Sequence, residues 1–296
     1  MNIGILGIGR MGRAIGERLL DQGHTLTAWN RTAQKAQPLV ARGARAAGTP
    51  AEAVAASDFV ISILTDDAAI AAAYDGPDGA LSGPVAGKLF IEMSTVRPAT
   101  QVALAQRVRA KQAALVECPV GGTVGPARDG KLLGLAGGDA ADVERARPLL
   151  AQLCRRVEHV GPVGAGASMK LAINLPLLVY WQALAEAVSL ARPAGLDPAR
   201  LMDILADTSG APAILKLRGG AIASSLAGAN LGAAHFDIDT IRKDLRTMLE
   251  EAQALGAGLP AAQAALTAFD AAAADGMGNR DGAELAAWTV ARLPRR

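Results

Sequence analysis

The chain has 296 residues, which is long enough for two domains with sizeable hydrophobic cores. Its formal net charge is only +2 and both signs are scattered along the chain, so the composition predicts no nucleic-acid partner. Hydrophobic residues make up 51% and charged residues 20%, and no uninterrupted apolar run reaches about 18 residues, so we expect no membrane partner.

The N-terminal segment predicts a strand, a glycine-rich turn and a helix. Ile3 to Leu6 is a short apolar run of the kind found in buried parallel strands. The sequence GIGRMG covers Gly7 to Gly12, a helical pattern runs from Arg10 to Leu20, and a second predicted strand covers His24 to Asn30. A GxGxxG pattern between a strand and a helix inside one βαβ unit is typical of a dinucleotide site.

Each glycine of this turn is predicted to have a separate role. Gly7 permits a tight turn, Gly9 lets the backbone approach a pyrophosphate, and Gly12 lets the helix pack against the strand. The helix dipole and the backbone N–H groups then hold the phosphate charge. We assign the whole turn to cofactor binding, namely Gly7, Ile8, Gly9, Arg10, Met11 and Gly12.

The residues after the second strand indicate which dinucleotide binds. NAD-binding proteins usually carry Asp or Glu here, which bonds the ribose and repels a 2′-phosphate. This chain has Asn30, Arg31 and Thr32, with Lys35 one turn further on. Because the carboxylate is absent and a guanidinium can hold a phosphate in bidentate fashion, we predict NADP (NADPH) in preference to NAD.

Two further predicted strands end in polar residues. Phe59 to Leu64 is followed by Thr65, and we place Leu64 and Thr65 at the ligand crevice, where strand C-termini meet in doubly wound sheets. The next residues, Asp66 and Asp67, are expected to cap a helix rather than to act in catalysis. The strand Leu89 to Met93 is followed by a Ser-Thr pair, which is a candidate helix cap or ligand contact, and local chemistry favours the cap for Ser94 and Thr95.

A glycine-rich stretch, CPVGGTVGPARDGKLLGLAGGD, follows the predicted strand Ala114 to Glu117 and covers Cys118 to Asp139. Its density of glycine predicts a loop whose exposed N–H groups form an anion nest for a carboxylate or phosphate.

The two cysteines, Cys118 and Cys154, show no metal-ligand spacing and have no histidine nearby. We expect both to be reduced, buried thiols in a cytoplasmic protein that binds no metal. The N-terminus shows no signal-peptide pattern.

Beyond Gly161 the chain shows no strand-like alternation, so we predict an all-α second half that ends in a solvated tail, Arg292 to Arg296.

A long predicted helix that begins near Gly164 carries Lys170 and Asn174 four residues apart, hence on one face. Their neighbours in the sequence are apolar, so we expect Lys170 to be partly desolvated. Desolvation lowers the pKa of a lysine, towards the range in which it can transfer protons near neutral pH. Pro176 predicts a kink in this helix. Further helices are predicted over Leu184–Ala191, Ala199–Ala206, Phe236–Leu255 and Ala261–Ala274.

Taken together, five motifs resemble the β-hydroxyacid dehydrogenase family, whose members act on 3-hydroxyisobutyrate and tartronate semialdehyde. In chain order they are GIGRMG, STVRP, CPVGGTVGPARDGKL, GAGASMKLAIN and KDLRTM. The resemblance covers nearly the whole chain, and the ordered combination is much more specific than the glycine motif alone.

The resemblance implies roles for individual residues. The family's catalytic lysine falls on Lys170 and its substrate amide on Asn174. Thr95 occupies the position of a cofactor-contacting threonine in the family, and Lys243 occupies the position of a late lysine near the nicotinamide. The substrate-binding loop falls on Gly121, Gly122 and Thr123. Gly121 stands where the family commonly has Ser, so a hydroxyl donor to the substrate carboxylate is missing.

The resemblance also implies the architecture, a doubly wound parallel sheet of Rossmann type followed by an all-α domain, linked by a long helix. We place an NADP-binding domain at residues 1–162 and a substrate and dimerisation domain at residues 163–296. The implied activity is hydride transfer between the nicotinamide and a small β-hydroxyacid or semialdehyde, in a homodimer or homotetramer.

Two alternatives stay open. One is an imine reductase on the same fold, which the retention of Lys170 disfavours. The other is a non-catalytic NADP-binding sensor or scaffold, for which loss of that lysine would be the sign. Decarboxylating 6-phosphogluconate dehydrogenases carry a glutamate where this chain has Leu177, so we set that reaction aside.

Overall fold

The computed structural model of the protein describes residues 1–293. The last three residues of the predicted tail and second domain lie outside the described residues. The chain divides into two compact units, Met1–Ala172 and Ile173–Arg296.

The first unit alternates strands and helices. Its strands are β1 (Asn2–Leu6), β2 (Thr25–Trp29), β3 (Arg45–Ala46), β4 (Phe59–Ser62), β5 (Leu89–Glu92), β6 (Ala114–Glu117), β7 (Val120–Gly121), β8 (Leu132–Gly137) and β9 (Cys154–Gly161). Its helices are α1 (Arg10–Asp21), α2 (Gln37–Val40), α3 (Pro50–Ala55), α4 (Asp67–Tyr74), α5 (Pro98–Ala110), α6 (Val124–Arg128) and α7 (Ala140–Leu153). A long helix, α8 (Ala165–Ala191), begins in this unit.

The strands form one sheet in the order β3-β2-β1-β4-β5-β6-β8-β7, with β9 paired to β8. The pairs from β3 to β6 are all parallel, which confirms the Rossmann-type prediction. Since these strands are parallel, their carboxyl ends share one edge of the sheet. β8 runs antiparallel to β6 and β7, so the sheet is mixed rather than wholly parallel.

Alternation along the strands places a hydrophobic core on each face of the sheet. On β1, Ile3 and Ile5 enter one core and Leu6 enters the other. On β5, Ile91 and Phe90 divide in the same way. Helices therefore cover both faces, as a doubly wound sheet requires.

The glycine-rich stretch Cys118 to Asp139 is not one loop, as the sequence had suggested. It contains α6 and the six-residue strand β8. Two glycines of β8 serve packing, because a Cβ on Gly134 would lie 3.0 Å from Cys118 Sγ and one on Gly137 would lie 2.3 Å from Glu117 Oε1. Both cysteines are buried free thiols, as predicted.

Within its described part the second unit contains helices and no strand, which confirms the all-α prediction. After α8 come α9 (Pro198–Ala206), α10 (Ala213–Leu226), α11 (Ile238–Ala254), α12 (Pro260–Ala272) and α13 (Leu285–Ala291). The sequence did not predict α10, because its Gly219-Gly220 pair lowers the helix propensity. A Cβ on Gly219 would lie 3.7 Å from Met202 Cβ, an ordinary van der Waals contact, so packing does not require glycine at this position.

Helix α8 is unusually long and apolar. Together with the turn that follows, Ala165–Ala194 is the one segment of the described chain that could cross a bilayer by length and composition, with a mean hydropathy of 1.4. The core helix of a soluble protein meets the same test. Pro176 lies inside α8 and removes one backbone donor from it.

Candidate active site

The glycine turn between β1 and α1 has the geometry of a phosphate cradle. Gly7 has φ +96°, and a Cβ there would lie 2.2 Å from the Ile63 carbonyl oxygen. A Cβ on Gly12 would lie 1.9 Å from the Gly7 carbonyl oxygen. In contrast, a Cβ on Gly9 would meet no atom within 4 Å. Gly7 and Gly12 are thus required by the protein's own packing, whereas Gly9 borders open space.

The amino end of α1 faces that open space. Gly9 is its N-cap residue and supplies no side-chain cap. The exposed N-terminus of a twelve-residue helix carries a positive partial charge that favours an anion. The turn therefore fits the pyrophosphate of a dinucleotide.

Asn30 holds this turn in place. Its Oδ1 accepts a hydrogen bond from the Ile8 N–H at 2.8 Å, and its Nδ2 donates to the Thr32 carbonyl oxygen at 2.9 Å. The Ile8 N–H is consequently engaged within the protein.

Arg31 follows directly at the carboxyl end of β2. Its side chain is exposed, as are those of Thr32 and Lys35. No carboxylate within residues 1–293 forms an ion pair with Arg31. The guanidinium is thus available to an external anion next to the cradle.

The loops after β4 and β5 are linked to each other. Ser94 Oγ accepts a hydrogen bond from the Leu64 N–H at 2.7 Å, and Thr65 beside it is exposed. The expected Ser94 cap is wrong, because the N-cap residue of α5 is Arg97 and Ser94 is instead bonded to the loop and to Glu92. Thr95 is half-buried at the same sheet edge.

The predicted helix cap at Asp66 is confirmed. Its carboxylate accepts the Ala69 N–H at 2.8 Å and begins α4, with Asp67 in the first turn. This carboxylate is used to start a helix, as the sequence had suggested.

Two buried glutamates lie beneath the same edge. Glu92 and Glu117 end β5 and β6, are partners in the sheet register, and are fully buried. Glu92 bonds Ser94 and Gln101, and Glu117 accepts N–H groups at the start of α8. Burial raises the pKa of Glu92 to about 6 and that of Glu117 to about 7, against the lowering effect of these hydrogen bonds.

The predicted substrate loop begins at Gly121, four residues after the end of β6. Gly121 pairs with Leu133 across β7 and β8. Gly122 has φ +131°, and a Cβ there would lie 2.7 Å from Leu132 Cδ2, so the position requires glycine. Thr123 is exposed, and its hydroxyl does not cap α6.

Lys170 and Asn174 are both on α8, and both are buried polar side chains, 8% and 7% exposed. Their spacing of four residues places them on one face of the helix, as predicted. A lysine and an amide so deeply buried are rare unless they have a function or an internal partner.

Asp244 contacts two of the predicted site residues, Asn174 and Lys243. Its carboxylate is 3% exposed and accepts a hydrogen bond from Asn174 Nδ2 at 3.2 Å. Its other oxygen lies 2.5 Å from Lys243 Nζ. One carboxylate on α11 therefore holds both the Asn174 amide and the Lys243 ammonium.

No metal centre accompanies these groups. Within residues 1–293, no cluster of three or more histidine, cysteine, aspartate or glutamate side chains could hold a metal ion.

Comparison with known families covers both units. Residues 2–161 match the NAD binding domain of 6-phosphogluconate dehydrogenase, and residues 164–289 match the NAD-binding domain of NADP-dependent 3-hydroxyisobutyrate dehydrogenase. The chain belongs to the β-hydroxyacid dehydrogenase family. This β-hydroxyacid dehydrogenase is accordingly an NAD(P)-dependent oxidoreductase.

Two relatives illustrate the similarity in sequence. Glyoxylate/succinic semialdehyde reductase 1 of Arabidopsis thaliana is 34% identical over 281 residues, which cover 95% of this chain and 96% of the relative. The 3-hydroxyisobutyrate dehydrogenase of Pseudomonas aeruginosa is 34% identical over 262 residues, which cover 88% of each chain.

Solved structures separate the dehydrogenases from the imine-reducing enzymes. Mycobacterium tuberculosis 3-hydroxyisobutyrate dehydrogenase with L-serine superposes with a TM-score of 0.84 at 26% identity, covering 99% of each chain. The reductive aminase of Aspergillus terreus, with NADPH, cyclohexanone and allyl amine, gives 0.63 at 26% identity, covering 97% and 98%. At equal sequence identity, this β-hydroxyacid dehydrogenase is closer in structure to the dehydrogenase.

Sequence reasoning did not single out Glu92, Glu117 or Asp244 of this β-hydroxyacid dehydrogenase. A signal was present for the first two, since LFIE and ALVE are apolar strands that each end in a carboxylate. A charged residue in such a position has to be hydrogen-bonded when the strand is buried. Asp244 gave no comparable signal, because it lies in an amphipathic helix with many charges.

Proposed function

We propose that this chain is an NADP-dependent reductase and dehydrogenase of small semialdehydes and β-hydroxyacids that carry a carboxylate. The observation that supports it most strongly is a lysine, Lys170, buried to 8% exposure on one helix face with Asn174, in a chain of this family. A sensor or scaffold has no use for a buried lysine at this position, so the catalytic interpretation is favoured.

Each residue of the candidate site is assigned a separate role in the reaction. When bound, the nicotinamide supplies or accepts the hydride at its C4 atom. Lys170 donates a proton to the substrate oxygen during reduction and takes it back during oxidation. Asn174, whose amide is held by Asp244, orients that oxygen. Backbone N–H groups of Gly121 to Thr123 hold the carboxylate, and the Thr123 hydroxyl is a further donor available to it.

The test of this assignment is turnover with a defined panel. Glyoxylate, succinic, methylmalonic and tartronate semialdehydes are assayed with NADPH and NADH, with propionaldehyde as the control that lacks a carboxylate and a cyclic imine as the control for the alternative. We expect turnover of at least one carboxylate-bearing aldehyde and little of propionaldehyde. Turnover of the imine alone would select the imine reductase.

Lys170→Ala tests the proton-transfer role. General acid–base groups contribute about 10²- to 10⁴-fold, so kcat should fall by at least about 100-fold. NADPH affinity, measured by fluorescence titration, should stay within about twofold, since the glycine turn and Arg31, which are proposed to bind the cofactor, are unchanged. Unchanged turnover together with unchanged binding would instead indicate a protein in which the lysine is not catalytic.

We propose that the preference for NADP resides in Arg31. A charge-assisted hydrogen bond contributes roughly 1.5–3 kcal/mol, so Arg31→Ala should raise the KM for NADPH by about 10- to 100-fold. The KM for NADH should change by less than about threefold, because NADH has no 2′-phosphate. Lys35→Ala, which removes a neighbouring exposed cation, is the matched control. Equal effects on both cofactors would contradict the assignment.

We further propose a cytoplasmic location and assembly as a homodimer or homotetramer. Two buried free cysteines support a reducing compartment, and the family resemblance supports the assembly. Cell fractionation tests the location, and recovery of the protein outside the cytoplasm would overturn it.

A further inference from the structure

Glu117 connects the substrate loop to the helix that carries Lys170. We propose that Glu117 is a positioning residue for Lys170, acting by fixing the first turn of α8. This inference rests on the catalytic role proposed above for Lys170.

The contacts of Glu117 are all with the start of α8. Its Oε1 accepts the N–H groups of Gly164 at 2.5 Å and Gly166 at 2.8 Å, and its Oε2 accepts that of Ala167 at 3.3 Å. These are donors that a helix N-terminus cannot satisfy internally. A carboxylate from a different element, β6, thus caps the helix in place of a local side chain.

The surroundings leave the carboxylate no freedom. Glu117 is fully buried. A Cβ on Gly137 would lie 2.3 Å from its Oε1, and a Cβ on Gly166 would lie 3.2 Å from the same oxygen and 2.4 Å from the Leu135 carbonyl oxygen. Glycine at both positions lets β8 and α8 close around the carboxylate. The start of α8 is therefore held at a fixed point of the sheet.

Lys170 lies three residues beyond Ala167, which is less than one helical turn from the last contact. In the other direction along the chain, Gly121 lies four residues after Glu117. The carboxylate therefore ties the helix that carries the proton donor to β6, the strand that leads into the loop proposed to hold the substrate. Because an error of 1 Å in the position of a reacting group costs up to about 100-fold in rate, this anchor bears directly on turnover.

The charge of Glu117 adds to the effect. A negative charge at the amino end of a helix is stabilised by the helix dipole. Burial and the neighbouring Glu92 raise the pKa of Glu117 to about 7 even though three N–H groups oppose this. Above neutral pH the group is consequently a carboxylate with all three N–H contacts available.

The test uses Glu117→Gln, which preserves size but turns an NH₂ group towards the Ala167 N–H. We expect kcat for the best panel substrate to fall by about tenfold, while the substrate KM and the NADPH Kd stay within about twofold. Glu284→Gln is the matched control, since Glu284 is 2% exposed and pairs with Arg280, and neither residue is assigned a role in catalysis or binding. The control should retain wild-type kcat. A kcat of Glu117→Gln equal to that of the control would overturn the proposal.

A double-mutant cycle separates positioning from general loss of structure. If Glu117 acts through Lys170, then Glu117→Gln should cause no further loss of kcat in the Lys170→Ala background. A full tenfold loss in that background would overturn the proposal. Should Lys170→Ala alone retain turnover, the proposed function fails first, and the two failures are thus distinguishable.

Glu117→Asp covers the case in which the Gln variant does not fold. It keeps the charge but withdraws the carboxylate by one methylene. We expect a lower kcat at an unchanged KM, and a wild-type kcat in this folded variant would overturn the proposal.

Discussion

The three glycines of the first turn meet different surroundings, which allows a binding role to be separated from a packing role. A Cβ added to Gly12 would lie 1.9 Å from the Gly7 carbonyl oxygen. That oxygen belongs to the backbone, which cannot move aside as a flexible side chain can. Gly9 has φ −78° and borders open space, so a methyl group causes neither strain nor a clash.

Gly12→Ala should therefore destabilise the fold by about 1–3 kcal/mol, as overpacked sites do. Gly9→Ala should change the stability by less than about 0.5 kcal/mol but weaken NADPH binding by at least about tenfold, because the methyl group would occupy the approach of the pyrophosphate. Thermal unfolding without cofactor and fluorescence titration measure the two effects. Wild-type NADPH affinity in Gly9→Ala would show that the cofactor does not approach this turn.

Asn30 stabilises the glycine turn through hydrogen bonds to the backbone. The sequence identified it as the place where a ribose-binding carboxylate is absent. In the structure its amide bonds Ile8 and Thr32 and so holds the cradle together. The selectivity for the 2′-phosphate that we propose therefore rests on Arg31 and not on Asn30.

Among the secondary-structure elements, the paired strands β5 and β6 bring two carboxylates side by side under the loops of the candidate site. Glu92 is fully buried, and desolvation raises its pKa from 4.5 to about 6. A raised pKa means that the folded protein binds this proton more tightly than the unfolded chain does. The stabilising contribution is therefore present at low pH and is lost as the pH rises through about 6.

Between pH 5 and pH 8 the wild type should accordingly lose about 1 kcal/mol of unfolding free energy relative to Glu92→Gln, which cannot titrate. Urea unfolding of both proteins at pH 5 and pH 8 gives the change in unfolding free energy of each protein between the two pH values. An equal change in the two proteins would contradict the raised pKa of Glu92. Comparison with Glu92→Gln cancels the contributions of the other groups that titrate in this range, apart from Glu117, whose pKa the Glu92 charge raises.

For the whole molecule, the open question is its assembly. Several apolar side chains of α8 are exposed in the single chain, among them Leu190 at 83% and Met169 at 41%. Together with the family resemblance, they support a second copy as the partner that covers this helix.

We predict a mass of two or four times the 30.1 kDa of the chain by light scattering coupled to size exclusion. Leu190→Glu should shift the mass towards that of the single chain, because a buried charge at an interface is costly. Leu255→Glu, which changes an equally exposed residue beyond the end of α11, is the matched control and should leave the mass unchanged. A wild-type protein of single-chain mass would contradict the predicted assembly.

Much of the fold was accessible from the sequence because its signals are local. The strand-turn-helix around Gly7 to Gly12, the apolar strands up to β6 and the helix that carries Lys170 and Asn174 follow from patterns within about 30 residues. The order of the motifs along the chain was enough to predict the family, and with it the positions of the candidate catalytic residues.

Tertiary structure decided what depends on residues that are distant in sequence. Glu117 caps a helix that begins 48 residues later, as Ala165 opens α8, and Asp244 bonds Asn174 from 70 residues away. The strand β8 is rich in glycine because Cys118, Cys154 and Glu117 approach it closely, and no local pattern reveals such contacts. The sequence by itself thus predicted the first strand-turn-helix, the apolar strands and the candidate catalytic side chains, whereas it missed α10 and the strand β8. Only folding decided which buried carboxylates hold them, since a partner for a buried charge is chosen by proximity in space and not by spacing along the chain.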